Sequence, residues 1–262
     1  MQHSDPTPKS ITNKLGNKSL TNFKRKARLI LPANLLDDVV VPIHPAGWPF
    51  IAAFAAATVV LAAVAQPLGW IGGAVTAWCV FFFRNPDRVT PLRAGLTVSP
   101  ADGIVQSVGP APPPPELELG PAVRNRVSVF MNVFDVHVNR IPLSGAIVRL
   151  NYRPGRFFNA SLDKASEHNE RQGVVIATPD GSEVALVQIA GLVARRILCR
   201  LNVGDAVQTG QRFGMIRFGS RVDVYLPPGV TALVAVGQRM IAGETVIADL
   251  QSDEPERPGV RQ

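Results

Sequence analysis

The chain has 262 residues, 27 Lys and Arg against 20 Asp and Glu, two Cys and a formal net charge of +7 at pH 7. That length allows one or two domains with a real core, while two isolated cysteines exclude a disulfide framework and any Cys-x-x-Cys metal site. The charge is uneven: seven basic side chains (Lys9, Lys14, Lys18, Lys24, Arg25, Lys26, Arg28) face one acid, Asp5, within residues 1–30, and the remainder is close to neutral.

Residues 1–46 are polar, basic and without periodicity, which predicts a flexible arm. A basic arm suits an anionic surface. An uncharged run follows it directly, so the surface expected is a membrane with anionic lipids, not nucleic acid. From Trp48 to Phe83 there is no charged residue. The run is long for one span of about 20 residues, and Gln66-Pro67 and Gly69 interrupt it midway. It begins too late and runs too long for a signal peptide. Residues 47–83 are therefore expected to form an apolar helical hairpin. Basic residues on both sides, including Arg84, Arg88 and Arg93, place both ends on the cytoplasmic face of the cell membrane. Whether the hairpin spans or enters one leaflet stays open.

Residues 84–250 change texture. Short β-branched runs separated by Gly and Pro (103–108, 127–133, 146–152, 173–178, 184–189, 222–226) predict a mainly β domain. Pro110-Ala111-Pro112-Pro113-Pro114-Pro115 is expected as a surface loop, since proline cannot sit in a central strand. Val203-Gly204-Asp205-Ala206-Val207-Gln208-Thr209-Gly210-Gln211 recurs 33 residues later as Val236-Gly237-Gln238-Arg239-Met240-Ile241-Ala242-Gly243-Glu244. Each copy reads as strand and glycine turns, similar to the hairpins of lipoyl-type barrel sandwiches. Residues 251–262 read as a polar tail.

Beyond residue 30 the only lysine is Lys164, and beyond the apolar run the only histidines are His137 and His168. No lysine stands at a hairpin tip to carry lipoyl or biotin, and no His/Cys/Asp/Glu cluster has metal-ligand spacing. Phosphate-loop and Gly-x-Ser-x-Gly motifs are absent as well.

Four segments, taken in order, resemble the phosphatidylserine decarboxylase family: Ser99-Pro100-Ala101-Asp102-Gly103, Phe134-Asp135-Val136-His137-Val138-Asn139-Arg140-Ile141-Pro142, Asn169-Glu170-Arg171 and Phe218-Gly219-Ser220-Arg221. The resemblance implies a self-cleaving lyase that decarboxylates phosphatidylserine to phosphatidylethanolamine. Its cofactor would be a pyruvoyl group made from Ser220, with no metal and no pyridoxal phosphate. Ser220 would attack the Gly219 carbonyl, giving a large chain 1–219 paired with a small chain 220–262. His137 matches the general acid/base, able to exchange protons near neutrality. Asp102 matches an acid that orients the histidine. Longer bacterial members carry a second histidine three positions later, where this chain has Arg140. That departure and Phe-Gly-Ser-Arg resemble the shorter, archaeal-type branch, and leave the base for cleavage open. His168 is a reserve candidate. Arg140, Arg153, Arg156 and Arg171 are candidates for the anionic headgroup, because guanidinium forks suit phosphate and carboxylate. A homo-oligomer is left open. The alternatives are a non-enzymatic barrel-sandwich adaptor on a membrane hairpin, or a decarboxylase of a related serine-headgroup lipid.

Overall fold

The structure, a computed structural model, describes residues 41–155, 169–191, 196–217 and 219–260. The basic arm through residue 40, Arg156, Lys164, His168 and Phe218 lie outside the described residues.

Helix α1 (Trp48–Val64) and helix α2 (Gln66–Phe82) are separated by Ala65, whose extended backbone (φ −158°, ψ 134°) breaks the helical run. Pro49 and Pro67 stand in the first turns, where a missing N–H is tolerated. The helices run antiparallel: Thr58 Oγ1 lies 2.9 Å from Thr76 Oγ1, and Phe50 stacks on Phe83 with ring centroids 5.6 Å apart. A Cβ on Gly72 would stand 2.8 Å from Thr58 Oγ1, so the backbones approach closely only because the residue is small. Ile43 forms a bridge with Arg84, which closes the two ends onto each other. No residue of α1 is buried. Pro45–Val64 is long and apolar enough to cross a bilayer, and the 17 residues of α2 rise about 26 Å.

The strands are β1 (Leu96–Val98), β2 (Gly103–Ala111), β3 (Arg124–Met131), β4 (Val138–Arg140), β5 (Gly145–Arg153), β6 (Arg171–Ala177) and β7 (Glu183–Ala190), then β8 (Ile197–Cys199), β9 (Ala206–Val207), β10 (Arg212–Ile216), β11 (Ser220–Tyr225), β12 (Arg239–Met240) and β13 (Val246–Asp249). Eight form one antiparallel sheet in the order β12-β2-β3-β11-β7-β6-β5-β9, with smaller sheets β4-β10-β8 and β1-β13. The mainly β expectation holds. Alternation puts Val129, Val222, Leu186 and Val174 into the principal core, and Val187, Ile189 and Tyr225 on the other face.

The Pro-rich segment differs from expectation. Pro110 and Ala111 belong to β2, opposite Asn125 and Arg124. Strand β12 covers β2 only at Gly103 and Ile104, so at Pro110 the strand is an edge and no ladder donor is missed. Beyond it, Leu117 and Leu119 are buried against Val187 and Ile189, so the loop serves as a lid on the second core.

The repeat is structural and larger than its sequence trace. Gly204 N donates to Ile147 O at 2.7 Å, and Gly237 N to Val105 O at 2.8 Å. Ile147 N donates to Asp205 O and Val105 N to Gln238 O, both at 2.9 Å. Gly210 N reaches Ile141 O, and Gly243 N reaches Ser99 O, both at 2.8 Å. Residues 98–105 and 140–147 thus form a second matched pair, with Pro100/Pro142 and Gly103/Gly145 as identities. Strands β9 and β12 close opposite ends of the long sheet, yet the Gly210 and Gly243 turns meet, so the sheet curls.

Candidate active site

Ser220 opens β11, paired to Met131 of β3 on one side and Ala190 of β7 on the other. It is therefore fixed in the middle of the long sheet. Gly219 before it has φ +69°, a conformation that costs a residue with a side chain about 1–2 kcal/mol. Nothing lies within 4 Å of where its Cβ would stand, so conformation, not crowding, requires the glycine. Ser220 is fully buried, and its Oγ has no hydrogen-bond partner among the described residues. An unpaired buried hydroxyl costs about 1–3 kcal/mol, which asks for a functional reason.

His137 is placed against the same bond. Gly219 N–H donates to Nε2 at 3.4 Å, and Nδ1 lies 3.0 Å from the Asp135 carbonyl. The carbonyl fixes the proton on Nδ1 and leaves the Nε2 lone pair facing the 219–220 segment. The ring is fully buried, 4.3 Å from the Phe82 ring at the foot of α2. Burial lowers its pKa to about 4, against the opposing pull of the Asp135 carbonyl and charge. The imidazole is neutral at pH 7 and acts as an acceptor. Asp135 is itself buried, held by Arg239 Nη2 at 2.6 Å and Asn132 N at 2.9 Å.

Asp102 does not make the orienting hydrogen bond to His137. Its Oδ1 accepts from Ala242 N at 2.7 Å and its Oδ2 from Arg88 at 2.8 Å. Burial raises its pKa above the usual carboxylate value, with the Ala242 N–H and Arg88 opposing. The Asp135 carbonyl holds the histidine instead. Asp102 ties the Arg88 loop to the second repeat turn, within reach of the Asp135 charge.

Of the candidate headgroup arginines, Arg140, Arg153 and Arg171 are described, and these three do not converge on Ser220. Arg140 is buried and donates to Gly210 O at 2.9 Å and Pro86 O at 2.7 Å. Burial lowers its pKa to about 10. Where a second histidine stands in longer relatives, this side chain braces a repeat turn. Arg153 lies 4.0 Å from Glu116, and the buried Arg171 pairs with the same carboxylate. Arg153, Arg171, Ile189 and Arg221 are successive register partners and share one face of the sheet, the face opposite Ser220. On that face Arg221 Nε lies 2.9 Å from Asp223 Oδ1, both residues buried. Asn169 approaches the site from the third motif, donating to the carbonyl of Ala190 at 2.7 Å.

Sequence reasoning missed Phe82, Arg88 and Arg239. Asp135 stood inside a quoted motif, but its contribution is a carbonyl, which no side-chain inventory reveals. Among the described residues no group of three or more His, Cys, Asp or Glu could hold a metal ion. An unpartnered serine hydroxyl, a left-handed glycine before it and a neutral imidazole at their amide form an arrangement suited to acyl transfer on the chain's own backbone.

The phosphatidylserine decarboxylase family model matches residues 75–248. Over 218 residues the chain is 61% identical to a phosphatidylserine decarboxylase proenzyme of Paramagnetospirillum magneticum, covering 83% of this chain and 91% of the relative. It is 57% identical to the proenzyme of Cereibacter sphaeroides (86% and 97% covered) and 58% identical to that of Beijerinckia indica (85% and 95% covered). Ser220, Gly219 and His137 all fall inside the matched span, and the chain belongs to the phosphatidylserine decarboxylase family.

Proposed function

We propose that the chain decarboxylates phosphatidylserine to phosphatidylethanolamine at the cytoplasmic face of the membrane, after cutting itself between Gly219 and Ser220. The observation that carries this reading is the orphaned Ser220 Oγ beside left-handed Gly219, with His137 Nε2 3.4 Å from the Gly219 nitrogen.

For cleavage, Ser220 Oγ attacks the Gly219 carbonyl while Nε2 takes its proton. The proton then moves to the Ser220 nitrogen as the amide becomes an ester. Imidazolium formed in so dry a site gives the proton up readily, which suits a relay. Elimination then removes the Ser220 Cα proton and releases the Gly219 carboxylate, leaving a dehydroalanine that one water hydrolyses to the pyruvoyl group and ammonia. That group fits its place, since it has no charge to bury and replaces an unpaired hydroxyl. When formed, it supplies a carbonyl electron sink for a substrate amine, the role that lysine-bound cofactors serve elsewhere. His137 remains beside it to exchange a proton with the substrate carbon, and Phe82 excludes water. Asp102 and Arg88 hold the turn that frames the site.

The small chain 220–262 stays with the large one after the cut. Its β11 lies between β3 and β7, its β12 pairs with β2, and its β13 with β1. Both ends of the hairpin return to the catalytic body, which with the basic arm favours the cytoplasmic side.

The test is expression of the native chain, Ser220→Ala and His137→Ala in membranes, with chain cleavage read on denaturing gels and carbon dioxide release from phosphatidylserine. Native protein should give two chains and activity, and Ser220→Ala neither. Decarboxylation by Ser220→Ala would refute the mechanism, and normal cleavage in His137→Ala would remove His137 as the base.

A further inference from the structure

Residues Arg196 and Arg200 flank β8 and alternate with it, two positions either side of Leu198. Strand β10 places Met215 opposite Leu198, and Arg217 N–H donates to Arg196 O at 3.4 Å. Leu198 and Met215 pack into the foot of the hairpin with Phe82, Phe83 and Phe50. The apolar foot is thus rimmed by arginines. Arg217 Cζ lies 5.0 Å from the centroid of the Phe50 ring, and Arg200 lines a cleft of about 110 Å³ with His44, Asn85 and Arg212. The His44 pKa is lowered first by burial and then by Arg200, Arg212 and Arg217, which places these charges around one spot.

Arg212 has a partner, Asp87, at 2.6 Å. Among the described residues Arg196, Arg200 and Arg217 have no carboxylate partner, and the buried Arg217 Nε has no acceptor. Clustered guanidinium groups repel, and a shielded donor without an acceptor is costly. Arg124 Nε is likewise without an acceptor, but there Nη1 is given the Glu183 carbonyl, and the buried Arg140 is given two carbonyls. Arg196 and Arg200 are exposed and Arg217 is half-buried, so the patch is open to an anion from outside. Beside it stands the exposed apolar wall of α1, which a free anion would leave bare and acyl chains would cover.

We propose that Arg196, Arg200 and Arg217 seat the phosphodiester of an anionic phospholipid at the foot of the hairpin, with its acyl chains along α1. This rests on reading the hairpin as membrane-embedded. It assigns headgroup binding to side chains other than those the motifs suggested, two residues upstream of Gly219 in the case of Arg217. Fork-shaped donors match phosphate oxygens, and the Phe50 ring holds the Arg217 fork in place.

The test uses the full chain with Trp70→Phe and Trp78→Phe, which leaves Trp48 at the start of α1 as its single tryptophan. In phosphatidylcholine vesicles with a minor share of phosphatidylglycerol, quenching of Trp48 by one lipid or the other in brominated form reads the lipid composition at the foot. The native patch should enrich phosphatidylglycerol by about tenfold over the bulk, and the combined Arg196→Gln, Arg200→Gln, Arg217→Gln variant should fall to within about twofold of it. The matching Lys variant should retain most of the enrichment. If the triple variant fails to fold, exposed Arg200→Gln alone should lower the enrichment several-fold. Unchanged enrichment in whichever Gln variant folds would overturn the proposal, as would loss of native enrichment when inorganic phosphate is added, which would assign the patch to a free anion. Phosphatidylglycerol carries no serine, so the result stands apart from whether the chain decarboxylates anything.

Discussion

In the outer hairpin Val59, Val64 and Trp70 are 70%, 73% and 75% exposed, whereas in the β domain Asp135, Arg221 and Asp223 are each 1% exposed. Apolar groups stand outside in one region and charges stand inside in the other. Both are explained by what surrounds them. The hairpin has no carboxylate or amine along its length, and exposed apolar surface of this extent marks a site of interaction with a membrane or another protein. The β domain buries these charges beside partners, as in the Arg221–Asp223 pair and the Asp135–Arg239 pair. The two regions meet at Phe82, whose ring reaches from the hairpin onto His137. That contact couples the apolar hairpin to the dryness of the site.

Replacing Phe82 tests the meeting point and should give the largest effect. Phe82→Ala should cost about 3–5 kcal/mol in stability, measured by thermal unfolding in lipid nanodiscs. The same change should alter the pH dependence of cleavage. With the His137 pKa near 4, the imidazole stays neutral far into acid, so native cleavage should persist to about pH 5 and fall with a midpoint near 4. Water admitted by Phe82→Ala should move that midpoint up toward 6.5. A native midpoint already near 6.5 would contradict the buried, neutral histidine. The stability linkage has the same sign. Between pH 6.5 and about 4 the unfolded chain binds a proton at His137 that the folded chain does not, so stability falls as the pH drops through that window.

A charge on the outer hairpin separates bilayer burial from protein burial. Val59→Lys should weaken membrane insertion by about 3 kcal/mol, read as partition between membrane and soluble fractions, while chain cleavage proceeds. Equal partition of variant and native chain would mean that the outer hairpin is not in lipid. The smallest effect is expected at Arg153, whose side chain is 56% exposed and 4.0 Å from Glu116. Arg153→Ala should change stability by no more than about 1 kcal/mol and leave the KM for phosphatidylserine unchanged. A large rise in KM would return Arg153 to the headgroup.

The hairpin was legible because an uncharged run of that length has few other uses, and the strands because β-branched runs between Gly and Pro carry their own punctuation. Half of the repeat was legible. The 33-residue copy keeps its turn glycines, but the matching 42-residue copy keeps only Pro100/Pro142 and Gly103/Gly145, with Asp102 replaced by Ser144. Backbone hydrogen bonds define that copy, and side chains there were free to diverge. Ordered motifs point to Ser220 and His137, and the structure brings the two together. The hydrogen bond from Asp102 to His137 was not there because a carbonyl does that work, and carbonyls leave no mark in a sequence. Closeness to motifs along the chain is all that points to Arg140, Arg153, Arg156 and Arg171 as headgroup residues. Strand alternation then put Arg153 and Arg171 on the face away from Ser220, which only the register reveals.

The most direct test of the central claim is the N-terminus of the small chain from active membranes, by mass spectrometry and by reaction with a hydrazine. The account predicts a fragment of residues 220–262 whose first residue is a pyruvoyl group, closed to Edman degradation and reactive toward the hydrazine. A single uncut chain in an active preparation, or a small chain beginning with a free serine amine, would contradict it.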